Sequence, residues 1–82
     1  MDLIWEAIQA ERQRQRQKWW REHAWGHGDC SSPYVTDMTK VAVLTEECGE
    51  VAQAVLKNDR ANLKRELVQV AAVAVAWLEA EQ

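Results

Sequence analysis

The chain has 82 residues, a formal net charge of −3, 48% hydrophobic residues, three glycines, one proline and two cysteines. That is one small domain spanning 1–82, and a chain this short buries only about 60% of the surface its unfolded form exposes, so a lone copy is marginal. The acidic balance argues against a dedicated nucleic-acid binder, whose affinity comes from phosphate neutralisation. Cys30 and Cys48 form neither a CxxC pair nor a disulfide framework and read as reduced thiols. With no secretory pattern and no apolar run long enough to span a bilayer, the expectation is a cytoplasmic protein without a membrane partner.

So few glycines and prolines make mostly helix the default. Asp2 caps a first helix with Leu3, Ile4, Ala7 and Ile8 on one side. Its apolar residues then give out, and Glu11-Arg12-Gln13-Arg14-Gln15-Arg16-Gln17-Lys18-Trp19-Trp20-Arg21-Glu22 continues it with good helix formers. At about 100° per residue, Arg14, Lys18 and Arg21 lie within about 60° of one another, with Arg12 and Arg16 on a different side. Arg14 and Lys18 beside Trp19 could hold a polyphosphate and stack a base; the plainer reading is a solvated charged face with a tryptophan packed inward. The same cations and tryptophans admit single-strand nucleic-acid binding as the least favoured reading.

From His23 to Pro33 the glycines and serines break the pattern into a connecting loop. His23, His27, Asp29 and Cys30 are metal ligands by type, but their spacing matches no zinc site, and a surface or hinge loop is preferred. Trp25 is expected either to tuck into the bundle or to act as part of a lid over the acidic site.

Thr36 and Asp37 open a second helix running from about Asp37 to Lys57. Glu46, Glu47 and Glu50 fall within an arc of about 100° on it, apart from an apolar stripe of Val41, Leu44, Cys48, Val51 and Val55. Gly49 amid these glutamates costs about 1 kcal/mol against alanine, which suggests close approach of a helix or ligand. Asn58-Asp59 makes the break, and the last helix runs to about Ala80. From Leu67 to Leu78 only Gln69 is polar. A helix apolar all round is buried all round, and two other helices can hardly surround it, so a second copy is expected against it. The fold class is therefore all-α: a small antiparallel helical hairpin plus an N-terminal helix, completed into a bundle by homodimerisation or as a tetramer.

Glu66 and Gln69 share a face of the last helix. Two helices side by side could aim them and the three glutamates at one point, where like charges repel unless a cation joins them. Oxygen-only ligands favour a hard ion, Mg²⁺ or Mn²⁺. A di-iron bundle would need Glu-x-x-His motifs, which neither helix has.

Glu46-Glu47-Cys48-Gly49-Glu50, then fifteen residues, then Glu66-Leu67-Val68-Gln69 resembles the paired Glu-Glu-x-x-Glu and Glu-x-x-Asp motifs of the MazG-like all-α nucleoside triphosphate pyrophosphohydrolases. The Glu11 to Trp19 segment is similar to the entrance helix of small MazG-like proteins, so the likeness covers nearly the whole chain. It implies Mg²⁺-dependent hydrolysis of a nucleoside or deoxynucleoside triphosphate to monophosphate and pyrophosphate, in keeping with house-cleaning of nucleotide pools. On the matching positions, Glu47, Glu50, Glu66 and Gln69 are expected as metal ligands and Glu46 as a further ligand or the group that deprotonates water. Arg14, Lys18 and Trp19 are expected to bind substrate. The pattern departs at Gln69, where the family has aspartate. An amide oxygen can coordinate but carries no charge, which predicts a weaker metal or a missing second one. The alternative is a catalytically silent helical dimer that binds nucleotides or a protein partner.

Overall fold

The computed structural model describes residues 2–82. Its elements are helix α1 (Leu3–Trp19), strands β1 (Glu22–His23) and β2 (Gly26–His27), helix α2 (Asp37–Leu56) and helix α3 (Arg60–Ala80). Each helix opens on the capping residue that its sequence offers. Asp2 accepts from the backbone N–H of Ile4 and Trp5, Thr36 from Thr39, and Asp59 from Asn62, satisfying donors that have no partner inside the helix.

The turn between α2 and α3 is equally local in origin. Asp59 N–H donates to Ala54 C=O and Asn58 N–H to Val55 C=O, both at 3.0 Å. This is the paired closure of a Schellman motif, with Asn58 in the left-handed conformation at φ 54°. Asp59 thus ends one helix and caps the next, which folds α3 back along α2.

Helix α1 stops at Trp19 rather than continuing to Glu22. The segment expected as a plain loop contains a small antiparallel hairpin, with Glu22 opposite His27 and His23 opposite Gly26. Gly26 also bridges to Val35. A Cβ on Gly26 would lie 2.1 Å from the Tyr34 carbonyl oxygen, and its φ is +129°, so only glycine fits this crossing.

Helix α3 packs against both α1 and α2. The buried apolar residues among those described are, apart from Leu63, small: Cys30, Val35, Ala54, Ala72, Val73 and Ala76. On α2 the face turned inward includes Lys40 and Ala54, with Glu47 and Glu50 half-buried. Of the expected apolar stripe, Val41, Cys48 and Val55 are exposed and Leu44 and Val51 half-buried. The helix is therefore turned with its carboxylates toward the fold and Val41, Cys48 and Val55 of the stripe outward, while Leu44 packs against the core of Cys30, Val73 and Ala76. On α3, Leu67 (50% exposed) and Leu78 (68%) are uncovered within this single copy, so the helix is not buried all round by its own chain. Gly49 also departs from expectation: a Cβ there would meet no described atom within 4 Å, so no close approach within the chain requires glycine.

Candidate functional site

A cavity of about 900 Å³ opens between the three helices and the hairpin. Glu46, Glu47, Glu50, Glu66 and Gln69 line it, as do Arg14, Lys18 and Trp19. The eight site residues expected from the sequence therefore face one space. Within it, Glu46, Glu47 and Glu50 each offer a carboxylate oxygen, and these oxygens lie within 4.8 Å of one another. Helical spacing explains the grouping, since positions i, i+1 and i+4 share one side.

Crowding of like charge shows in the protonation equilibria. Burial, followed by the charges of Glu50, Glu66 and Glu46, pushes Glu47 up to about 7. Glu66, only 8% exposed, is also raised, first by burial and then by its hydrogen bond and charge contact with Glu50. Three oxygens of this kind, with no thiol or imidazole in the group, form a donor set that fits a hard divalent cation. A cation placed there would offset the repulsion that, after burial, raises Glu47.

The basic side of the cavity is less free than the charge stripe suggests. Arg14 donates to Glu11 through Nε at 2.8 Å and through a terminal nitrogen at 2.6 Å, and this hydrogen bonding raises its pKa. Lys18 lies with its ammonium 5.3 Å from the Trp19 ring centre, and the Arg21 guanidinium stands 5.5 Å from the same ring. Arg21 follows the end of α1, so it does not extend the helical stripe expected with Arg14 and Lys18. Trp19 also meets His23 edge-on at 5.5 Å.

His23 is held structurally. Its Nδ1 accepts from the Trp25 backbone N–H at 3.2 Å, which leaves Nε2 to donate to the Gly28 carbonyl at 2.8 Å. With both ring nitrogens engaged it is not set up as a metal ligand. Trp25 is 59% exposed at the cavity mouth, beside His23, and so is not tucked into the bundle.

One buried network escaped the sequence reading. Arg12 is 4% exposed. It donates to Asp29 at 2.9 Å, to Glu79 through Nε at 3.1 Å, and again to Glu79 through a terminal nitrogen. Asp29 also accepts from the backbone and hydroxyl of Ser31; burial would raise its pKa, but these bonds and Arg12 bring it below the usual carboxylate range. The triad pins the hairpin segment to α1 and to the end of α3, and thereby fixes one wall of the cavity. Cys30, beside Asp29, joins Val73 and Ala76 in the core, its thiol pushed up by burial and by the Asp29 charge.

A model of the MazG nucleotide pyrophosphohydrolase domain matches residues 35–81. The chain belongs to this family. The matched segment carries α2 and α3, and with them Glu46, Glu47, Glu50, Glu66 and Gln69 of the cavity, whereas α1 with Gln15, the hairpin and Asp29 lie outside it. No curated protein and no solved structure matches the chain. No helix among the described residues is long and apolar enough to cross a membrane. In this MazG domain the clustered glutamates thus come from the family segment, and the cations and aromatics from what precedes it.

Proposed function

We propose that this MazG domain hydrolyses a nucleoside or deoxynucleoside triphosphate to the monophosphate and pyrophosphate, with Mg²⁺, or Mn²⁺ in its place. The observation that carries the reading is the convergence of Glu46, Glu47 and Glu50 to within 4.8 Å in a cavity that also holds Arg14, Lys18 and Trp19.

In this reading Glu47 and Glu50, joined by Glu66, hold the cation, which when bound neutralises charge on the phosphate oxygens. Glu46, the exposed member of the group, orients the attacking water and accepts its proton. Water adds across the anhydride between the α- and β-phosphates; that P–O bond breaks, and pyrophosphate leaves with the electron pair. Lys18 and Arg14 bind the phosphates, Arg14 by leaving Glu11, and Trp19 flanks the base.

The uncovered apolar surface supports a second copy. The surface of one chain is 5803 Å², whereas a compact monomer of its mass, 9.4 kDa, exposes about 5,000 Å². The excess, about 800 Å², is close to one partner's share of a standard interface. A groove lined by Leu44 of α2 and by Ala74, Trp77, Leu78 and Glu81 lies at the C-terminal end of α3. Sedimentation of Leu78→Glu tests the dimer: a wild type that already sediments as a monomer removes it.

The activity is tested by incubating the purified protein with a panel of triphosphates and Mg²⁺ and separating the products. Monophosphate and pyrophosphate are expected, and Glu50→Gln should abolish their release. Turnover that survives Glu50→Gln overturns the assigned site.

A further inference from the structure

The Gln69 side chain reaches from α3 to two carboxylates on different helices. With its NH₂ turned toward them, Nε2 stands 2.9 Å from Glu66 Oε2 and 2.7 Å from Glu47 Oε2. The opposite orientation would set a carbonyl oxygen against two carboxylate oxygens, which is unfavourable whenever both carboxyls are ionised. An amide nitrogen carries two hydrogens, one for each carboxylate. The oxygen of the same group then points away from both.

We infer that Gln69 is a positioning residue, which fastens Glu47 of α2 to Glu66 of α3 through its NH₂ and contributes no oxygen to the cation. This rests on the metal reading of the proposed function, and it gives Gln69 a different part from the ligand expected from its sequence position. The chemistry of the position follows. Aspartate there would bring a further negative charge to a cavity already lined by Glu46, Glu47, Glu50 and Glu66, and when ionised it has no hydrogen to give. Glutamine joins the same two carboxylates while adding no charge. It holds them at hydrogen-bonding distance with the cation absent, so that the oxygen set does not have to assemble when the ion arrives. The two bonds are charge-assisted, the stronger class of hydrogen bond.

The test is side-chain amide NMR on the full chain, with the Gln69 NH₂ pair assigned by its disappearance in Gln69→Glu. In the metal-free protein both Gln69 protons should exchange with solvent more slowly than those of Gln13 and Gln17, which are exposed. On saturation with Mg²⁺ the pair should keep that protection, and its carbonyl carbon should not take the shift of a coordinated oxygen. Rapid exchange in the metal-free protein overturns the inference. So does loss of protection together with a carbonyl shift on adding Mg²⁺, the signature of a ligand. If Mg²⁺ moves no signal of the site, the metal reading fails instead, and the metal-free exchange rates alone decide whether the amide joins the two helices. A merely structural glutamine buried elsewhere would not lose its protection in Glu47→Ala/Glu66→Ala, which removes both acceptors, whereas this one should.

Discussion

Replacing Glu47 by glutamine should make the metal-free protein more stable and leave it unable to gain from metal. The fold raises this carboxyl from 4.5 to about 7, chiefly by burial and then by Glu50, Glu66 and Glu46. The native state therefore binds more protons than the unfolded chain between those values, and stability falls as pH rises through that window. One pKa unit corresponds to about 1.4 kcal/mol, which bounds the cost of ionising Glu47 at about 3.4 kcal/mol. Glu47 is only half-buried, and solvent screening reduces this to about 1–2 kcal/mol. In a domain of this length each kcal/mol moves the Tm by about 4–8 °C. Thermal unfolding in a chelator at about pH 8 should then place Glu47→Gln about 4–16 °C above wild type, and the gap should close toward about pH 5, where the wild-type group is protonated. With Mg²⁺ at a hundredfold excess over its dissociation constant the wild type should gain about 2.7 kcal/mol and the variant much less. A variant that melts below wild type in chelator at the higher pH, or a gap independent of pH, refutes the reasoning.

Arg12→Met should lose about 3–5 kcal/mol in urea unfolding, because Asp29 is left charged and buried. Adding Asp29→Asn should recover most of that loss, and a single-variant loss under about 1 kcal/mol would show the triad to be unimportant to stability. Asn58→Gly should stabilise by about 0.5 kcal/mol, since φ is 54° there and glycine reaches it without strain; destabilisation in the same assay would count against the turn. Gly26→Ala should lower the Tm and speed amide exchange at His27 and Val35, as its Cβ meets the Tyr34 carbonyl oxygen; unchanged exchange would mean that the crossing is not tight.

The helix starts were legible because capping is a contact between near neighbours, whereas the end of α1 at Trp19 was not. Asp2, Thr36 and Asp59 each bond within three residues of themselves. The grouping of Glu46, Glu47 and Glu50 was legible for a related reason, since helical period fixes which residues share a side. Period does not say what each side meets, and so the outward turn of Val41, Cys48 and Val55 was hidden. Arg12 looked like one member of a repetitive charged run. Its partners lie 17 and 67 residues away, and nothing local singles it out from Arg14 or Arg16. The hairpin has two residues per strand, too few for alternation to register, and it depends on Gly26 meeting Tyr34 from a later part of the chain.

The orientation of α2 ties these observations together. At about 100° per residue, Val41, Cys48 and Val55 lie nearly opposite the arc of Glu46, Glu47 and Glu50. Burying the apolar side within one chain would turn the carboxylates to solvent, where water separates and screens them and no cavity forms around them. Turning the carboxylates inward brings them to Glu66, Gln69 and the basic end of α1, but it leaves Val41, Cys48 and Val55 bare and the core built largely from alanine and valine. On α3, Leu67 and Leu78 likewise fall about 100° or more from Glu66 and Gln69. Site and bare surface thus occupy different sides of both helices. A change such as Leu78→Glu can therefore act on association without touching an acidic donor, and Glu47→Gln can act on the cation without touching the apolar groove.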